Sequence, residues 1–217
     1  MRSSLSAAAL LAALSFPLAA QEHAQDADHP APGGGAVPAG WTVRADDGDA
    51  SGANVQTMGK GLHVTTGPAV ILYRRDTGGK GPFHTLATFT QTKPSKHPEG
   101  YGLFVGGKGL DGTARQYLYF LVRQDGSYLI KRRDGEKTND VSKGWVRSDA
   151  VKQPDAKGTA TNLLEVDNKR DPGRVAFLVN GKEVYATDAK GMGLDGIVGI
   201  RQNHNLDVHI EGFDVHR

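Results

Sequence analysis

The residues able to do chemistry in this 217-residue chain fall into three groups. The first lies on Gln116–Arg133, QYLYFLVRQDGSYLIKRR. Leu118, Phe120 and Val122 alternate there with Tyr117, Tyr119, Leu121 and Arg123, and a strand sends alternate side chains to opposite faces. The wholly apolar set claims a core, so Tyr117, Tyr119 and Arg123 are expected to point out of it. Aromatic rings stack on the apolar side of a pyranose while polar neighbours bond its hydroxyls. Tyr117, Tyr119, Arg123 and the isolated Trp145 are therefore the candidate ligand contacts, against a plainer reading as cross-strand pairs shielded by cations. The second group is Glu165-Val166-Asp167, two carboxylates on one strand face. The third is His204, Asp207 and His209, of which the last two share a face by the same period. They can be read as metal ligands, or as histidines bonding backbone at a strand turn.

The orientation of the strand after Asp125-Gly126 depends on its turn. A two-residue loop puts Tyr128, Ile130 and Arg132 beside the tyrosine face; a three-residue loop with a bulge puts Leu129, Lys131 and Arg133 there. Either way that face carries tyrosines and cations. Other chemistries are excluded more simply. The chain has no cysteine, and no G-x-S-x-G segment presents a serine nucleophile. A formal net charge of +2 gives no basic stripe for nucleic acid.

These side chains must be positioned by β-structure. Apolar residues alternate after Gly40, with turn residues every ten or so positions, which marks an all-β sandwich or barrel. Strands are expected at 54–58, 61–65, 69–74, 83–91, 101–106, 116–123, 127–133, 161–168, 174–179, 182–187, 196–202 and 206–216. Asn162–Asp188 forms a meander punctuated by Asp171-Pro172-Gly173 and Asn180-Gly181, the latter suited to a type I′ turn. Polar residues dominate 134–158, expected to be a long loop with one short strand at 144–148. In the last strand Val208 and Ile210 are apolar at even positions, Phe213 and Val215 at odd ones. A bulge at Glu211-Gly212 would return both pairs to the core.

The N-terminus reads differently. A basic start, an apolar run Ala7–Leu14 and small residues before Gln21 form a secretory signal peptide over residues 1–20. The run is too short for a membrane span. Residues 21–40, acidic and then rich in Pro and Gly, are expected to be a disordered linker. His23 and His29 in it read as a solvated tail rather than a metal site. The folded part is residues 41–217.

At this point the residues carry a family likeness. Arg174–Val184 (RVAFLVNGKEV) resembles the penultimate hairpin of the concanavalin A-like lectin/glucanase superfamily. Gly196–Phe213 (GIVGIRQNHNLDVHIEGF) is similar to its closing pair of strands, and Tyr101–Phe104 with Tyr117–Arg133 fit its central ones. The laminin-G-like and 3-keto-disaccharide-hydrolase-like branches look nearest. The resemblance implies a jelly-roll sandwich of two curved antiparallel sheets, with Tyr117, Tyr119 and Arg123 on the concave one. Glucanases of the superfamily carry E-x-D-x-E, and a retaining mechanism needs two carboxyl groups about 5–5.5 Å apart. Here Lys169 or Arg170 occupies the place of the second Glu, so Glu165 and Asp167 read as sheet-face charges. In the 3-keto-disaccharide-hydrolase-like branch a His follows the Gly-aliphatic strand, a place His204 matches. Calcium occurs in relatives, and Asp111, Asp195 and Asn203 offer hard oxygens for it; no other cofactor is expected.

The sequence thus points to a secreted or periplasmic, non-catalytic module that binds a glycan or another cell-envelope ligand. The alternative is a glycoside-cleaving hydrolase. A third reading is a structural or adhesive module.

Overall fold

The computed structural model describes residue 31 and residues 36–217. The expected signal peptide and most of the expected linker lie outside them. The strands are β1 (Thr42–Ala45), β2 (Ala53–Met58), β3 (Gly61–Thr66), β4 (Val70–Tyr73), β5 (His84–Gln91), β6 (Gly100–Lys108), β7 (Gln116–Arg123) and β8 (Ser127–Asp134). They continue with β9 (Lys137–Asp140), β10 (Val146–Arg147), β11 (Ala160–Asp167), β12 (Arg174–Val179), β13 (Lys182–Asp188), β14 (Ile197–Gln202) and β15 (Asp207–His216). A single 3₁₀ turn, Arg75–Thr77, is the helical content of the described residues. The first sheet runs β1-β4-β14-β6-β7-β8-β10, with β9 also on β8; the second runs β13-β12-β11-β5-β15-β3-β2. Their pairings are antiparallel, as in β6 with β7 and β5 with β11. The protein is a β-sandwich, as the alternation predicts.

Period-two patterning builds the layer between the sheets. On β5 the side chains of Thr85, Ala87, Phe89 and Gln91 are buried, while His84, Leu86, Thr88 and Thr90 are partly exposed. On β11 Leu164 and Val166 go in and Glu165 and Asp167 go out. Leu103, Leu118, Phe120, Val122 and Ile130 of the first sheet meet Phe89, Leu164, Phe177, Val208 and Ile210 of the second in one cluster. Phe120 crosses that layer to Phe177, ring centroids 5.4 Å apart in an edge-on contact, a geometry adding about 0.5–1.5 kcal/mol beyond burial.

The turns agree with their residues. Asn180 (φ 52°) and Gly181 (φ 77°) both lie in the left-handed region and join β12 to β13 in a two-residue type I′ loop. β15 shifts register between Glu211 and Asp214, so Val208 and Ile210 lie in the core while Phe213 and Val215 pack against it. Two strands escaped the alternation. β1 is four residues long and runs into Asp46-Asp47-Gly48-Asp49, too short and polar to show a period. β9 is exposed throughout, so no buried face marks it within the expected loop. β10 falls inside the short strand expected at 144–148.

Candidate ligand cleft

Between β7 and β8 the chain takes the longer of the two loops. Arg123 pairs with Ser127, leaving Gln124, Asp125 and Gly126 as a three-residue connection. Gly126 has φ 83°, the left-handed conformation that closes such a loop with a bulge. Tyr119 therefore lies opposite Lys131, and Tyr117 opposite Arg133. Leu129, Lys131 and Arg133 join the tyrosine face, and Tyr128 turns inward, donating its hydroxyl to the Val184 carbonyl at 2.9 Å.

That face does point away from the inter-sheet core, but it is not open. Tyr117 is 1% exposed and Tyr119 7%. With Ile71, Tyr73, Phe104, Leu110, Leu121 and Leu129 they form a second apolar cluster on the outer side of the first sheet. The expectation that Tyr117 lines an exposed sheet is corrected. Its ring packs on Phe104 and Tyr119 at 5.2 and 5.8 Å between centroids, and its hydroxyl accepts a hydrogen bond from Arg201 at 2.9 Å. The physical reason is a charged layer laid across the outer face, which strand periodicity does not reveal.

Asp46, one residue past β1, is the centre of that layer. Arg201 on β14 donates to both of its carboxylate oxygens at 2.9 and 2.8 Å. Arg133 on β8 donates to one of them at 2.9 Å. Arg115, just before β7, donates to the Asp46 carbonyl at 2.8 Å and stands 3.5 Å from the carboxylate. Burial alone would raise the Asp46 carboxyl; the charges of Arg201, Arg133 and Arg115 outweigh it and hold the group far below the usual carboxylate range. A carboxylate so held keeps its charge and is a poor general acid. Burial presses the Arg115 guanidinium below its ordinary value, and the charge of Arg133 adds to that. Tyr119, with Arg201 over its ring at 5.4 Å, is pushed up to about 12 by burial, Arg201 pulling the other way.

Above this floor is a cleft of about 390 Å³, lined by Asp46, Tyr119, Arg123, Leu129, Lys131, Arg133, Trp145, Arg201, Asn203 and His204 among others. Arg123 lies over the Trp145 indole, 4.2 Å from its centroid, and donates to Asp125 at 2.9 Å. Trp145 is seated on Gly100: a Cβ there would stand 2.8 Å from the indole. The structure so brings Tyr119, Arg123, Trp145 and His204 to one cleft and places Tyr117 beneath it. Pro98, Glu99, Glu136 and Thr138 complete the lining.

The other candidates lie elsewhere. Glu165 and Asp167 are on the outer face of the second sheet. Glu165 is 2.9 Å from His84 Nε2, and Asp167 accepts from the Lys169 and Arg170 backbone N–H groups. His204 lines the cleft, while Asp207 and His209 lie on β15 of the second sheet. Asp207 faces His63 at 3.1 Å and accepts from Lys93, and His209 faces Glu211 at 3.2 Å. Asp111 binds the Tyr73 hydroxyl and Arg75, Asp195 accepts from the Gly81 N–H, and Asn203 lines the cleft. Among the described residues no three His, Asp or Glu side chains group to hold a metal ion. No helix among them is long and apolar enough to cross a membrane.

Asp46, Arg115 and Arg201 were not among the sequence candidates. Arg201 had a usable signal: Val198 and Ile200 alternate with it, which puts it on the outer face. Asp46 had none, since it follows a strand that the pattern does not show.

No protein-family model matches the chain, and no curated protein matches it in sequence. Solved structures do share its fold. A carbohydrate-binding module, CBM66 from Bacillus subtilis, superposes with a TM-score of 0.60 at 9% identity, over 82% of this chain and 96% of the module. A Bacillus subtilis protein of unknown function with a galectin-like fold superposes with a TM-score of 0.54 at 12% identity, over 81% and 88% of the two chains. The chain shares the β-sandwich fold of these two proteins.

Proposed function

We propose that this chain is an exported, non-catalytic module that binds a glycan of the cell envelope in the cleft of the first sheet. The observation that carries the reading is the pairing of Trp145 and Tyr119 with hydrogen-bonding side chains in one cleft, the combination that sugar recognition requires. The shared fold with a carbohydrate-binding module supports it, and residues 1–20 support export. Placement in the laminin-G-like or 3-keto-disaccharide-hydrolase-like branch rests on the resemblance of Arg174–Val184 and Gly196–Phe213. A glycan array probed with the intact protein, followed by calorimetry on the hits, tests the function. Trp145 is partly exposed at the cleft and packs against the outer apolar cluster, so Trp145→Ala is expected to weaken binding by about 0.5–2 kcal/mol, measured where a melting curve shows the variant folded. An array without a hit, or a Trp145→Ala variant that binds as the unaltered protein does, overturns the reading.

A further inference from the structure

The cleft floor holds more positive charge than its own carboxylate answers. Arg133 and Arg201 of the lining, with Arg115 beside them, converge on Asp46, three cations against one anion. Their side chains are only 5, 11 and 7% exposed, so water screens them poorly. Each keeps a buried Nε–H with no hydrogen-bond partner, although buried donors are normally satisfied. The charges nearer the rim are met differently. Arg123 pairs with Asp125 at 2.8 Å and Lys131 with Asp140 at 3.2 Å, and the more exposed Glu99 and Glu136 also stand along the lining. The positive excess therefore belongs to the floor, not to the cleft as a whole.

The floor also shows which anion it suits. Arg201 already grips a planar carboxylate through two parallel bonds, to Asp46 at 2.9 and 2.8 Å, the fork geometry that guanidinium offers carboxylates. We infer that the cleft takes an acidic glycan, with a uronate carboxylate over the Arg133–Arg201 floor and the sugar ring against Trp145 and Tyr119. This rests on the glycan reading above and names its ligand class. It assigns Arg133 and Arg201 to selecting charge, and the aromatic pair to holding the ring.

The test uses the intact protein and matched pairs of chains: polygalacturonate, alginate, hyaluronan and glucuronoxylan fragments, each beside its carboxyl-reduced neutral counterpart. Calorimetry is expected to show at least one acidic member binding roughly tenfold or more tighter than its neutral partner, a gap that narrows as salt rises. Arg133→Gln, which leaves Asp46 paired with Arg201, is expected to reduce that gap several-fold, with a melting curve as control for folding. Neutral members binding as well as acidic ones would overturn the inference and leave the glycan reading standing. Silence of every pair would overturn both. Equal binding of a sulfated dextran would show a response to any polyanion and overturn the assignment to uronates.

Discussion

The two outer faces of this sandwich are made by the same rule and come out unlike. On each, every second residue of a strand turns away from the inter-sheet core. On the first sheet those residues are Ile71, Tyr73, Phe104, Tyr117, Tyr119 and Leu121, and they make a second apolar cluster roofed by Asp46 and its arginines. On the second sheet polar residues that pair across strands stand among half-exposed leucines, Leu86, Leu163 and Leu178. Thr90 bonds Thr161 at 2.9 Å, the His63 and His209 rings lie tilted with centroids 6.2 Å apart, and His84 stacks on His216 at 5.9 Å. These contacts of the second face run between neighbouring strands, with His63 Nδ1 and His209 Nδ1 left buried and unbonded. The first has buried polar groups that must be satisfied together, and they make the floor of the cleft. Periodicity alone says which way a side chain points; what covers it decides whether it is surface.

The largest test of that difference is Asp46→Ala. It leaves three poorly exposed guanidinium groups without their shared anion, and breaking such a network from one side costs about 3–5 kcal/mol. Glu165→Gln on the opposite face, where Glu165 pairs with His84, is expected to shift stability by less than about 1 kcal/mol. Chemical denaturation of both variants makes the comparison, and equal losses would break it. Tyr119→Ala comes next. An open face would tolerate it, whereas a side chain buried in a cluster costs about 3 kcal/mol when truncated so far. Thr90→Ala, its counterpart on the second sheet, is expected to cost under about 1 kcal/mol. A Tyr119→Ala variant that melts normally would mean the cluster is looser than its packing.

The dependence on pH sharpens the same contrast. The folded Asp46 carboxyl titrates below its unfolded value of about 3.9, so the unfolded chain binds the proton first. Its contribution is complete above about pH 5 and is lost as pH falls through about 4 and below. Asp207 on the second face is lowered as well: burial opposes that shift, and bonds from Thr92 and Lys93 with the charge of His63 produce it. Urea titrations between pH 6 and 3 are expected to show the acid-side slope reduced more by Asp46→Asn than by Asp207→Asn. The reverse order would assign the acid sensitivity to the second sheet.

Much of this was legible beforehand. The Asn180-Gly181 turn, the bulge near Gly212 and the inward set Leu118, Phe120 and Val122 all follow from local chemistry. Tyr119 and Arg123 come from one strand face, and Trp145 and His204 from two other stretches; that all four share a cleft is a tertiary fact. The roof was illegible for a different reason. Asp46 meets Arg115, Arg133 and Arg201 across sequence separations of 69, 87 and 155 residues. No periodicity spans such distances, and a polar cluster leaves no apolar signature.

The connection Gln124-Asp125-Gly126 acts as a reading frame for the cleft. Removing one of its residues would hand the strand Ser127–Asp134 to the opposite parity. Tyr128, Ile130 and Arg132 would then stand in the cleft, and Lys131 and Arg133 would be driven between the sheets. The loop is thus closed to any change of length by one, and Gly126, at φ 83°, resists replacement as well. Diversification of this cleft among descendants of the chain is expected to proceed by replacing side chains, with the spacing from Arg123 to Ser127 held constant.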